Sequence, residues 1–222
     1  MEATTPAQKK PNPLENLRYI DVSGSKYHGL KRFMDFCIAL AATSVLLIPM
    51  AILLLCVYID DPGKVIFAQS RIGRDGKLFH IYKIRTMIAS APGNLSAEEF
   101  RDASKFVTRM GKFLRKYSLD ELPQLIHVLK GDMSIIGPRP LIAEESYIHK
   151  LRLQYGVYQT RPGITGLAQI NGRNNISTRE KVYWEVKYLE SYGLKQDFKI
   201  LFGTLPKILM GTDVNKDFNI GA

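Results

Sequence analysis

The sequence predicts an α+β chain, predominantly helical, with a re-entrant membrane helix-break-helix at the N-terminus, a small β-hairpin and amphipathic helices suited to a membrane interface. Three observations carry this. An apolar run from Phe33 to Ile59 holds one charge, Asp35, and one proline, Pro49. Two β-prone stretches flank Asp75-Gly76. Farther on, apolar residues recur at helical spacing within segments rich in lysine and arginine.

Pro49 divides the apolar run into arms of about 16 and 11 residues, roughly 24 and 16 Å long, against a hydrocarbon core of about 30 Å. Unbroken, the run would span; folded at Pro49, it would dip in and return. Proline cannot donate to the carbonyl of Val45 and pushes it aside, and the hydroxyls of Thr43 and Ser44 lie one turn back as its expected partners in lipid. A kinked spanning helix is the alternative. Lys26, Lys31 and Arg32 precede the run and hold that end on the cytoplasmic side. The run is too long for the core of a signal peptide and follows a polar segment, so it is expected to stay on the mature chain. Its expected partition is a polar tail over 1–30, the membrane element over 31–59, a catalytic domain over 60–210 and a second tail over 211–222. The first dozen residues, polar and proline-rich, are expected to be disordered.

After Ile59, KVIFAQSR and KLFHIYKI on either side of Asp75-Gly76 predict a hairpin that ends at Arg85-Thr86-Met87. Ser96 with Glu99 matches a helix-start box. From Glu98 to Tyr117 the apolar positions fit one amphipathic helix, with Gly111 as its weak point. Further helices are expected from Pro123 to Lys130, stopping at Gly131, near Ala143 to Tyr155, from Thr178 to Tyr192, and from Lys195 to Met210.

Net charge is +10 over 222 residues. It is spread out: +3 through Arg32, −1 in the apolar run, +4 from Asp60 to Lys150 and +4 beyond. No concentrated basic arm suited to nucleic acid exists, and anionic head groups and phosphorylated substrates are the partners that fit. Both cysteines, Cys37 and Cys56, lie in the apolar run, which excludes a disulfide framework. The four histidines lack metal-ligand spacing, and His127 falls in an apolar helix where a core role suits it.

LRKYSLDELPQL is the densest chemical cluster. Pro123 belongs in a first helical turn, so Asp120 and Glu121 sit at a helix start, where the free amides keep carboxylates ionised. Ser118 with Glu121 also fits an ordinary capping box. Adjacent helical residues point about 100° apart and divide labour: one carboxylate can hold a hard cation such as Mg²⁺ while the other attacks phosphorus, with Arg115 and Lys116 offsetting charge. In Gly137-Pro138-Arg139-Pro140, two prolines stiffen a loop that presents one guanidinium, which suits phosphate; a plain surface turn has the same composition. In Arg161-Pro162-Gly163-Ile164-Thr165-Gly166 and Asn171-Gly172-Arg173, glycines would let main-chain amides approach an anion on which Arg161 and Arg173 close; a structural connection fits as well. Arg85, at the end of the hairpin, joins the substrate-binding candidates.

Taken in order, the proline-broken apolar helix, DPGKVIFAQSRIGRDGKLF, KIRTM, LRKYSLDELPQL, LKGDMSIIGPRP and RPGITGLAQINGR resemble the bacterial sugar transferase family, the small monotopic phosphoglycosyl transferases, from about Lys31 to about Leu209. The resemblance implies a helical fold with a small β element, anchored in the inner leaflet of the bacterial cytoplasmic membrane with the catalytic domain on the cytoplasmic face. It implies transfer of a sugar 1-phosphate from a UDP-sugar to polyprenol (undecaprenyl) phosphate with release of UMP. In that family the Asp of the pair is the nucleophile, here Asp120. The Glu binds Mg²⁺, here Glu121, and the arginines matching Arg115 and Arg139 contact phosphate. One departure stands out: some members have Ser directly before the breaking proline, where this chain has Ile48, with Ser44 as the substitute. Single-step transfer without a covalent intermediate, and a non-catalytic membrane adaptor, are the rival readings. The sugar, the glycan pathway and homo-oligomerisation are left open.

Overall fold

A computed structural model of the chain describes residues 12–91, 103–172 and 176–210. The apolar run becomes helix α1 (Tyr27–Asp60), 34 residues that continue through Pro49. Pro49 thus lies inside one helix rather than between two, because a proline removes a single helical hydrogen bond and the apolar turns on both sides keep theirs. The hydroxyls also depart from expectation. Ser44 Oγ donates to the Leu40 carbonyl at 2.9 Å, the back-bond available to any helical serine, and Thr43 Oγ1 is buried with no partner among the described residues. Mid-helix side chains such as Val45 and Ile48 are 75% and 72% exposed, a surface that water would not tolerate over so long a stretch.

Both ends of α1 rest on the same folded body. Near its start, Arg32 donates to the carbonyls of Val128 and Leu129. Asp35 Oδ1 accepts from the Ile135 amide at 3.1 Å, and Ala39 is buried in a cluster with Ile81, Val128 and Met133. Near its end, Val57 packs in a cluster with Ile84 and Leu114. Asp60 Oδ2 accepts from the Met110 amide at 3.0 Å and Asp61 Oδ2 from the Ala89 amide at 2.7 Å.

The predicted hairpin forms as β1 (Ile66–Ile72) and β2 (Leu78–Ile84), antiparallel from Ile72 opposite Leu78 to Ile66 opposite Ile84. Asp75 turns it with φ 56°, a conformation that Asp tolerates better than most residues. Register and strand alternation put Gln69, Arg71, Ile81 and Lys83 on one face.

The single helix expected from Glu98 to Tyr117 is not what forms over its described part. Ala103–Phe106 is a 3₁₀ turn, Val107 bridges to Met87, and helix α2 (Arg109–Lys116) starts afresh at Thr108, whose hydroxyl accepts from the Gly111 amide at 2.9 Å. The Ser96–Glu99 box lies outside the described residues. Gly111 is there for close approach: a Cβ would sit 2.0 Å from the Thr86 carbonyl oxygen.

Helix α3 (Leu125–Lys130) ends, as expected, at Gly131 with φ 93°. Then come β3 (Ser134–Ile136), α4 (Ser146–Gln154), β4 (Gly163–Thr165), α5 (Leu167–Ile170), α6 (Thr178–Glu190) and α7 (Leu194–Met210). β3 and β4 pair in parallel, Ser134 with Gly163 and Ile136 with Thr165. The largest core gathers Ile136, Ile148, Val157, Val182, Val186 and Ile200. Asp197 of α7 ties this body to the start of α1: it accepts from the hydroxyls of Tyr27 and Tyr188 at 2.8 and 2.9 Å and pairs with Lys31, all but the Tyr27 side chain being buried. On its outer side α7 exposes Phe198, Phe202 and Leu205.

Residues 12–26 run along the same body. Leu14 and Val22 are buried in its core, the Val22 amide donates to Gln159 Oε1 at 2.9 Å, and Gln159 Nε2 donates to the Ile20 carbonyl at 2.7 Å. Gly156, at φ 80°, leaves room for this strap, since a Cβ there would lie 2.5 Å from the Ile20 carbonyl oxygen.

Candidate active site

Asp120 and Glu121 lie on a 3₁₀ helix, Leu119–Gln124, that enters α3 directly. Ser118 precedes it in the left-handed region, φ 55°, so the chain turns sharply out of α2. In that conformation Ser118 makes no side-chain cap, and the capping box is not built. The Glu121 carboxylate turns elsewhere: Oε1 accepts from Lys83 Nζ at 2.7 Å and from Arg139 Nη2 at 3.2 Å. Glu121 is buried and Asp120 is half-buried beside it.

A cleft opens at this point, lined by Arg71, Lys83, Glu121, Gln124, Arg139 and Pro140 among others. Three cations face one carboxylate, which leaves the cleft suited to an anion with more than one charge. Burial first, and the repulsion of Arg139 second, push the Arg71 guanidinium below the usual arginine value, yet arginine stays protonated throughout the physiological range.

The parallel pair β3–β4 joins two motifs that are far apart in sequence. The Gly137 amide donates to the Thr165 carbonyl and the Gly163 amide to the Pro138 carbonyl, both at 2.9 Å. Cβ atoms on Gly163 and Gly166 would each fall 2.1 Å from Gly137 main-chain atoms. These glycines therefore serve backbone against backbone, the structural-connection reading of that stretch. The junction sets the Pro138-Arg139-Pro140 loop against Glu121. Beneath the loop, Arg152 Nη2 donates to the Arg139 carbonyl, and Arg152 pairs with Glu185 in a bridge that is 2% and 3% exposed.

The other candidates fall at varying distance from this cleft. Arg115 Nε donates to Thr86 Oγ1 at 2.8 Å on the α2 side. Arg85 bridges Asp61 Oδ2 at 3.1 Å, at the foot of α1. Arg161 Nε donates to the Gly131 carbonyl at 2.7 Å. Pro140 lines the cleft, and Pro138 lines a smaller neighbour with Gly73 and Tyr158. Pro49 sits in α1, and Arg173 lies outside the described residues. Sequence reasoning missed Lys83 and Arg71 as members of the cleft. Their signal was present in the hairpin: at strand alternation, positions 69, 71, 81 and 83 share one face, and two of these four are cations.

Among the described residues no cluster of three or more His, Cys, Asp and Glu side chains gathers. The Glu121 carboxylate is a hard oxygen donor, which fits Mg²⁺ where substrate phosphates and water complete its shell.

A family model described as bacterial sugar transferase matches residues 26–211, most of the chain. The chain belongs to the bacterial sugar transferase family. This transferase is 39% identical over 198 residues to the "uncharacterized sugar transferase EpsL" of Bacillus subtilis (strain 168), covering 87% of this chain and 94% of that one. It is 39% identical over 187 residues to the UDP-glucose:undecaprenyl-phosphate glucose-1-phosphate transferase of Caulobacter vibrioides, covering 81% of this chain and 69% of that one. With the undecaprenyl-phosphate galactose phosphotransferase of Salmonella typhimurium it shares 36% identity over 194 residues, 81% of this chain and 40% of that longer protein.

Proposed function

We propose that the transferase moves a sugar 1-phosphate from a UDP-sugar to polyprenol phosphate, releasing UMP, through a covalent aspartyl intermediate. The observation that carries the reading is the pairing of Glu121, the residue next in sequence to Asp120, with Lys83 and Arg139 in a three-cation cleft. The names of the Caulobacter and Salmonella relatives point to the same donor and acceptor classes.

In the first step an Asp120 carboxylate oxygen attacks the β-phosphorus of the UDP-sugar. The bond from that phosphorus to the bridging oxygen breaks, and UMP leaves with the bridging oxygen. In the second step an oxygen of polyprenol phosphate attacks the same phosphorus, the acyl-phosphate bond breaks, and the Asp120 carboxylate is regenerated with polyprenol diphosphate-sugar as product. Lys83, Arg139 and Arg115 offset the charge that builds on the phosphoryl oxygens. Glu121 would hold Mg²⁺, which supplies charge neutralisation at the diphosphate when bound, and leaves the Asp120 carboxylate to attack.

The reading includes a monotopic anchor in the inner leaflet of the cytoplasmic membrane, with the cleft on the cytoplasmic face. Its support is that residues at both ends of α1, Asp35 and Asp60, are hydrogen-bonded to one body. A hydrocarbon core about 30 Å thick does not fit between two points held by one small domain on one side. Exposed Phe198 and Phe202 on α7 suit the adjoining interface.

The decisive experiment is isotope trapping. Wild-type protein incubated with UDP-sugar labelled in its β-phosphate is expected to retain label, and Asp120→Asn to retain none. Exchange of labelled UMP into UDP-sugar without acceptor is expected for the covalent route; its absence in an enzyme that still makes product favours single-step transfer.

A further inference from the structure

We propose that Arg71 is a phosphate-binding residue of this transferase, gripping a substrate oxyanion on the hairpin side of the cleft. The proposal rests on the phosphoryl-transfer reading and adds to it a residue outside the LDEL and PRP segments.

Arg71 shares the hairpin face of Ile81 and Lys83 and lines the cleft with Glu121 and Arg139. Its neighbours differ from those of three other arginines of this region. Arg85, Arg139 and Arg152 each bridge a carboxylate. Arg71 bridges none among the described residues. Nη2 donates to Gln69 Oε1 at 2.6 Å and Nη1 to the Pro140 carbonyl at 3.4 Å, both neutral oxygens. Nε is buried with no hydrogen-bond partner among the described residues.

A half-buried guanidinium held by neutral acceptors, with one N–H unsatisfied, is costly to fold around. Arg139 at the same cleft adds repulsion. An anion arriving between them removes both penalties. The planar fork, oriented by Gln69 and the Pro140 carbonyl, matches the oxygens of a phosphate better than a single carboxylate oxygen. Two substrates bring such a group: the diphosphate of the sugar donor and the phosphate of the polyprenol acceptor.

The test uses the full chain in lipid nanodiscs, with Arg71→Gln and Arg71→Lys beside wild type. One arm measures UMP exchange into UDP-sugar without acceptor, which reads the donor half-reaction. The other measures transfer of labelled phosphosugar from the protein to undecaprenyl phosphate, which reads the acceptor half. Loss of one charge-assisted bond is expected to lower kcat/KM about tenfold to a hundredfold in at least one arm, chiefly through KM. The melting temperature is expected to hold, and Arg71→Lys, which keeps the charge without the fork, is expected to recover part of the loss. A loss confined to exchange assigns Arg71 to the donor; one confined to transfer assigns it to the lipid phosphate. Wild-type kinetics for Arg71→Gln in both arms would overturn the proposal, as would a loss that follows a lowered melting temperature and leaves KM unchanged. If Arg71→Gln does not fold, Arg71→Lys decides: an unchanged KM for both substrates overturns it. Absence of UMP release by wild type with any UDP-sugar would instead sink the phosphoryl-transfer reading itself.

Discussion

Arg152 Nη2 donates to the main-chain carbonyl of Arg139 at 2.9 Å, so a fully buried guanidinium underpins the loop whose own guanidinium faces Glu121. Arg152 is held in turn by both carboxylate oxygens of Glu185. Buried ion pairs of this kind add little net stability over an apolar pair but are expensive to break by halves.

Removing one partner should therefore unfold what removing both does not. Arg152→Met is expected to cost about 3–5 kcal/mol, because Glu185 is left buried and charged. Adding Glu185→Leu should recover most of that stability in thermal unfolding. UMP release should stay depressed in the double variant, since the Arg139 carbonyl has lost its donor. Full recovery of turnover would show that the pair has no part in setting the loop.

Lys83 offers a second prediction. It makes the shorter of the two bonds to Glu121, and its loss leaves Arg139 alone against the carboxylate. Lys83→Met is expected to lower kcat about a hundredfold, the order found when one preorganised charge donor is removed. Turnover within a factor of about two of wild type would argue that Lys83 only covers Glu121 in the absence of substrate.

Gly111 should tolerate no side chain. A Cβ 2.0 Å from the Thr86 carbonyl oxygen must push α2 from the segment that follows β2, an overpacking cost of about 1–3 kcal/mol. Because Thr86 Oγ1 also holds Arg115, Gly111→Ala is expected to lower both melting temperature and UMP release. A variant with wild-type values in both would contradict the packing described.

These cases also mark what could be read from residues alone. The hairpin was legible because its turn and its alternation are local, and so was the end of α3, where Gly131 takes a conformation that suits glycine. The junction of β3 with β4 was not, because three-residue strands carry no readable period and their pairing is long-range. Glu121 was legible as a reactive group but not in its partners: the capping box requires Ser118 outside the left-handed region, and a close turn out of α2 overrides that local pattern. The helix expected from Glu98 to Tyr117 misled for a related reason, since Val107 fits a helical stripe and a bridge to Met87 equally well.

His127 gives the domain an acid sensitivity. Its Nε2 accepts from the Tyr82 amide at 3.2 Å, which requires the unprotonated nitrogen, and burial pushes its pKa below the usual histidine value against the opposing pull of Asp132. The unfolded chain then binds the proton first as pH falls. Stability from this residue is complete above about pH 6.5 and is lost as pH drops below that value toward the folded pKa. Melting temperatures across that window are expected to fall more steeply for wild type than for His127→Asn, which keeps an acceptor and does not titrate. Parallel slopes would exclude His127 as the source.

The anchor can be tested without substrate. With Cys37 and Cys56 replaced, single cysteines at Ser25 and Lys64 are expected to react with a membrane-impermeant thiol reagent from the same side in oriented vesicles. Reaction from opposite sides would rule out the one-leaflet anchor and with it a cleft level with the lipid head groups.

Residues 12–25 precede the span matched by the family model, which starts at residue 26, yet Val22 and Ile20 are fastened to Gln159, two residues before the Arg161-Pro162-Gly163 stretch that pairs with the arginine loop. Editing at the amino end is therefore not neutral trimming. A fusion partner or deletion reaching Val22 would be transmitted, through one glutamine, into the alignment of the arginine loop that faces Glu121.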